Sequence, residues 1–215
     1  MKLLIYGSGG LGKEVSDLAL RINDVKQQWS EISFIDDFRE ERELNGIRVY
    51  KFDEIRHLND VECIVAVGEP NSREKLYNLL KDNHLKLGKL IDPSVIISKN
   101  SIIEEGCIIN PFVLIANGSH IGSNTLIQSH VNIGHDIIIG KHSVISAGVY
   151  PGGGDAIGDR VYIGMGAIIK ENLTIGNDSI VGMGSCVFTD IPSGVIVLGN
   201  PARVMRKNEN GNIFK

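Results

Sequence analysis

Long apolar runs, cysteine pairs and a dominant sign of charge are all missing from this chain of 215 residues, and proline is scarce. No stretch approaches the ~18 consecutive apolar residues a membrane span requires. The opening MKLLIYGSGG breaks at Gly7, so neither a signal peptide nor an anchor is expected, and a cytoplasmic location is. Three scattered cysteines, Cys63, Cys107 and Cys186, form no CxxC pair and no even set, which predicts reduced thiols and no metal site. A formal net charge of −4 argues against a nucleic-acid groove, while 42% apolar residues are too many for a disordered chain. Only 6 prolines stand against 25 glycines, and isoleucine is in large excess, a combination that calls for a search for repeats.

Isoleucine recurs every six residues, at Ile91, Ile97, Ile103, Ile109, Ile115, Ile121, Ile127, Ile133, Ile139 and Ile145. The series continues in phase through Ile157, Ile163, Ile169, Ile175, Val181 and Val187, with Pro151 the one non-aliphatic member. Four residues after each aliphatic comes a small or β-branched side chain, as at Ser101, Cys107, Val113, Ser119, Thr125 and Val131. Ordinary strands have period 2 and helices 3.6; a strict six belongs to neither. It belongs to a solenoid, in which each hexad lays one aliphatic into a shared column and then turns. Glycine often follows the aliphatic (Gly122, Gly134, Gly140, Gly158), where a sharp corner calling for positive φ is expected.

Residues before the solenoid read differently. A buried strand at 2–6 meets Gly7-x-Gly9-x-x-Gly12 and a helix from Lys13 to about Ile22; a second strand, Ile32 to Ile35, ends in Asp36-Asp37. A third, Cys63 to Val67, precedes a helix from Asn71 to Asn83. This alternation predicts a small parallel α/β sheet. The glycine spacing is that of a dinucleotide fingerprint, but one such unit is half of a dinucleotide fold and suits a mononucleotide. The glycines either bring backbone and a helix N-terminus to a phosphate or serve only a tight strand-to-helix turn.

The glycine opening, the strand ending in Asp36-Asp37, the Val65 to Arg73 segment and the Gly134-His135-Asp136 corner resemble the PglD/NeuD family of sugar acetyltransferases. The closing Gly199-Asn200-Pro201-Ala202 agrees. The resemblance implies a Rossmann-like nucleotide-sugar-binding half-domain (1–88), a left-handed parallel β-helix of hexapeptide repeats (89–206) and a short tail (207–215). It implies acetyl-CoA as co-substrate, no tightly bound cofactor, and a homotrimer. His135 is the implied general base, oriented by Asp136. Gly9, Gly10, Leu11, Asp36 and Asp37 are implied to address the nucleotide sugar, and Gly153, Met165 and Met183 acetyl-CoA. The Gly152-Gly153-Gly154 run is either an oxyanion donor or a plain flexible corner. Two departures stand out: relatives carry histidine where this chain has Val144 and Leu11. N-acetylation of a nucleotide-linked 4-amino-4,6-dideoxy sugar is the expected reaction. A sialic-acid-type O-acetyltransferase and a non-catalytic nucleotide-sugar-binding protein are the alternatives.

Overall fold

The computed structural model describes residues 1–209 and 213. Its N-terminal part is β1 (Lys2–Tyr6), α1 (Gly10–Lys26), β2 (Glu31–Ile35), β3 (Glu43–Leu44), β4 (Ile47–Tyr50), α2 (Phe52–Ile55), β5 (Val61–Val65), α3 (Pro70–Asp82) and β6 (Lys86–Leu87). The sheet order is β3-β4-β2-β1-β5-β6, parallel except for the β3–β4 pair. β1 sits centrally, and its run of apolar residues is buried on both faces, as a parallel strand between helix layers requires.

From Leu90 the chain climbs through two-residue strands, each stacked in parallel on the strand 18 residues earlier, as Ile109 pairs with Ile127 and Ile127 with Ile145. Three faces result, and the fold is a left-handed parallel β-helix after an N-terminal α/β sheet. The first face carries strands such as Val144–Ile145, the second Asn132–Ile133, and the third Ile138–Ile139. From Ile109 to Val187 every aliphatic of the six-residue series is at most 2% exposed. At about 25 cal/mol per Å² of apolar surface, this column is the main source of solenoid stability. The four-residue offset also points inward, and its hydroxyl members Ser119, Thr125 and Ser143 donate to the carbonyls of Gly134, Gly140 and Gly158.

The corners correct one expectation. Positive φ falls not on the glycine after each aliphatic but on the third residue after it. Every sixth residue from Gly106 to Gly184 has φ between 53° and 77°, including Asn124, Asp136, Asn172 and Asp178. The glycines directly after the aliphatics serve close stacking instead. A Cβ on Gly140 would stand 2.5 Å from the carbonyl carbon of Gly158, and one on Gly164 2.5 Å from the Met183 nitrogen. Gly140→Ala is therefore expected to force two coils apart and cost about 1–3 kcal/mol, read as a lowered midpoint in thermal unfolding.

The two parts share a core. Leu90, Ile108, Leu126 and Val144, the outward residues of the first face, pack with Leu3, Ile5, Val15, Leu18, Ile22 and Phe34. Beside it lies Arg73, wholly buried and with no carboxylate partner among the described residues. Its guanidinium donates to the carbonyls of Val65 and Val67 on one side and to the Asn124 carbonyl and Oδ1 on the other. Burial pulls its pKa down to about 10. Short β3, β4, α2 and β6 were not expected from the sequence. Of the expected tail, Lys207 closes the strand Ala202–Lys207, and residues 210–212, 214 and 215 lie outside those described.

Candidate active site

His135 and Asp136 occupy the corner between the second and third faces. Asp136 is itself a left-handed residue, φ 55°, and this conformation turns its carboxylate back toward the preceding side chain. Asp136 Oδ2 lies 2.9 Å from His135 Nδ1. A carboxylate can only accept, so Nδ1 carries a proton, and in the neutral imidazole Nε2 is the nitrogen that holds the lone pair. The main chain around the pair is pinned from both sides: Asp136 donates to the Asn117 carbonyl and Gly154 to that of His135, each at 2.9 Å. One coil later Gly153 lies against the ring, where a Cβ would stand 2.6 Å from Nε2. Any other residue at 153 would displace the imidazole. The pair is open to solvent, the His135 side chain being 71% exposed.

The structure brings the five N-terminal candidates together. Gly9, Gly10, Leu11, Asp36 and Asp37 line one pocket of about 560 Å³ at the carboxyl ends of β1, β2 and β5. Its floor shows which glycine does what. A Cβ on Gly7, φ 109°, would meet the Ala66 carbonyl at 2.8 Å, and one on Gly12 would strike the Gly7 carbonyl. Those two are needed by the turn itself. Gly9 and Gly10 face open space, and α1 begins there with no side-chain cap, leaving its first N–H groups directed at the pocket.

The two aspartates differ. Asp36 accepts from the Ser8 hydroxyl and amide and from the amides of Phe38 and Arg39. Burial would raise its carboxyl, but these hydrogen bonds outweigh it and hold the group below the ordinary value. Asp37 accepts from the Tyr6 hydroxyl at 2.5 Å and the Phe52 amide at 2.8 Å, and is exposed on the pocket rim. Burial first, and Asp37 second, keep the Tyr6 phenol protonated well beyond its usual range.

Met165 and Met183 stack one coil apart, Gly184 donating to the Met165 carbonyl at 2.8 Å, and both side chains are exposed. They stand on the corner between the first and second faces, not on that of His135, so a single chain does not unite them. Cys107 is inert packing: burial pushes its thiol up to about 11. Cys186 faces outward from its strand and is half-buried.

The PglD N-terminal domain family matches residues 2–80, and the bacterial transferase hexapeptide family, of six repeats, matches 118–150. WeeI from Acinetobacter baumannii AYE is 31% identical, with a TM-score of 0.88 over 95% of this chain and 100% of that one. The chain belongs to the PglD-like family of sugar acetyltransferases. As a member it is an acetyl-CoA-dependent enzyme. The acetyltransferase domain of PglB from Neisseria gonorrhoeae FA1090 is 29% identical (TM-score 0.88, 95% of this chain, 99% of that one). A histidine-to-asparagine variant of perosamine N-acetyltransferase from Caulobacter crescentus, in complex with CoA and GDP-perosamine, is 27% identical (TM-score 0.85, 95% and 96%). Among the described residues of this PglD-like chain, no helix is long and apolar enough to cross a membrane.

Sequence reasoning left two contributors to the site unread. Ser8, wholly buried, fixes the Asp36 carboxylate and also accepts from Arg39 Nε at 2.8 Å. Arg73 ties the start of α3, next to the pocket, to the solenoid. Its place in the Val65 to Arg73 segment was visible, but not its burial, because an arginine at a helix start usually reads as solvated.

Proposed function

We propose that this enzyme transfers acetyl from acetyl-CoA to the 4-amino group of a nucleotide-linked 4-amino-4,6-dideoxy sugar, with His135 as general base. The carrying observation is the His135–Asp136 pair, whose geometry leaves Nε2 as a free proton acceptor beside Gly153. The neutral amine attacks the thioester carbonyl and passes its proton to Nε2. Asp136 holds the ring in the required tautomer and stabilises the imidazolium that forms. The carbonyl oxygen gains charge as the tetrahedral centre develops, and the Gly153 amide is the nearby donor for it. Collapse expels CoA as thiolate, which takes up the proton His135 holds.

The N-terminal half, 1–88, would bind the nucleotide sugar. Phosphate would sit at the uncapped start of α1 over Gly9 and Gly10, where N–H groups and the helix dipole favour an anion. Asp37 would then meet neutral or cationic parts of the ligand. In the solenoid half, 89–206, Met165 and Met183 mark the edge proposed for acetyl-CoA. Because that edge and His135 lie on different corners, the working site needs a second copy. The exposed Ile138, Tyr150 and Ile168 on the second and third faces fit a homotrimer.

Incubation with acetyl-CoA and a panel of UDP-, dTDP- and GDP-linked 4-amino-4,6-dideoxy sugars, alongside sialic acid, tests the reading by mass of the product. A gain of one acetyl on sialic acid alone would overturn it. Asp37→Ala is expected to raise KM for the sugar nucleotide about tenfold with KM for acetyl-CoA within twofold. A change confined to acetyl-CoA would remove the N-terminal pocket from the sugar-binding role.

A further inference from the structure

Asp155 breaks the interior pattern of the solenoid. It occupies the inward offset position that elsewhere holds Val113, Val131, Ile137, Val161 or a hydroxyl residue, and it is 1% exposed. Its Oδ1 accepts from the Leu173 amide of the next coil at 2.9 Å, while the buried Oδ2 has no partner among the described residues. Hydroxyl residues at this offset donate to the carbonyl fifteen positions on, as Ser143 does to Gly158. For Asp155 that place belongs to Lys170, to which a carboxylate cannot donate and a carboxylic acid can.

The residue follows directly on Gly152-Gly153-Gly154, on the inside of the corner whose outside carries His135. Three successive glycines have more backbone freedom than any other tripeptide, yet Gly153 lies packed against the imidazole. We propose that Asp155 is a positioning residue for acetyl transfer: its buried carboxyl clamps the triple-glycine turn to the next coil and so sets the Gly153 amide against His135. This rests on the role assigned to His135 and Gly153 above. The carboxyl belongs to the residue that leaves the turn and accepts the Leu173 amide of the following coil, so it joins the end of the glycine run to that coil.

The electrostatics agree. Burial raises the Asp155 carboxyl to about 6, opposed by the Leu173 and Gly152 amides and reinforced by the negative charge of Glu171 on the next coil. An unfolded aspartate ionises near 4. Between those values the folded state holds a proton the unfolded state has lost, so the residue costs stability as pH rises through that window and nothing further above it. An apolar residue would remove this cost, and the chain keeps the acid.

Asp155→Val and Asp155→Asn separate the roles. Valine is expected to fold with an unchanged or higher Tm and a kcat about tenfold lower, KM for acetyl-CoA and for the best acceptor of the panel staying within twofold. Asparagine keeps the acceptor for Leu173 and an N–H for the interior, and is expected to restore kcat to within threefold of wild type. Its Tm should also lack the decline expected of wild type between about pH 4 and 6. A Val variant with wild-type kcat, or an Asn variant with the wild-type dependence of Tm on pH, would overturn the proposal. His135→Ala would still be inactive in that event, whereas wild-type turnover by His135→Ala would overturn the underlying reading instead.

Discussion

His135→Ala is expected to fold and assemble as wild type, to bind both substrates with unchanged affinity, and to lose about 10²–10⁴ in kcat. The exposure of the side chain carries the first half of that expectation: among the described residues its side-chain hydrogen bond is to Asp136, itself exposed. The second half follows from the proton. Attack by the amine on a thioester leaves a proton that must go somewhere, and without Nε2 it goes to water. A loss of that size corresponds to about 3–5 kcal/mol of transition-state stabilisation. Stopped-assay kinetics with saturating acetyl-CoA, beside circular dichroism and light scattering, give both halves in one comparison. Turnover within tenfold of wild type by a folded, correctly assembled variant would mean that another group takes the proton.

That pair was singled out by the family resemblance, and the repeat supplied its place in the solenoid. With the six-residue phase known, Gly134-His135-Asp136 could only be a corner, and the solenoid indeed turns there. The same phase placed the aliphatics from Ile109 to Val187 in the column, whereas Ile97 is exposed and Ile91 and Ile103 are half-buried, because the first coil has no earlier coil to cover it. What escaped was whatever depended on contact between distant segments. The glycines after the aliphatics look like turn formers to a local reading, and their actual constraint is the backbone 18 residues on, as Gly140 shows against Gly158. Arg73 carries no local sign that two of its four acceptors, the Asn124 carbonyl and Oδ1, await it across a domain junction. Strands as short as β3 and β6, two residues each, have no period to detect.

Ile139→Asp should abolish folding. Ile139 is 1% exposed and sits in register between Ile121 and Ile157 in the coils on either side. The substitution removes apolar burial worth roughly 1.5–3 kcal/mol. It also places a carboxyl among Ile133, Ile145 and their neighbours, at several kcal/mol more if it stays ionised. Together these approach the whole stability of an ordinary domain, roughly 5–15 kcal/mol. The adjacent Ile138, whose side chain points outward from the same strand, is the control: Ile138→Asp should keep the circular dichroism of the wild type. A soluble Ile139→Asp protein with a native spectrum and a cooperative melt would show that the assigned phase is wrong.

The fixed step of 18 residues, seen where Ile109 pairs with Ile127, gives each solenoid residue an address that is its number's remainder on division by that step. His135 and Gly153 share one address; Met165 and Met183 share another. Losing or gaining a whole coil would shorten or lengthen the column but keep every address on its own edge. A shift of six would repack just as well, since the aliphatic series cannot tell one hexad from the next, yet it would carry each later residue round to a different edge. In this scaffold the interior counts in sixes and the chemistry counts in eighteens, so insertions that the core accepts can still dismantle the site.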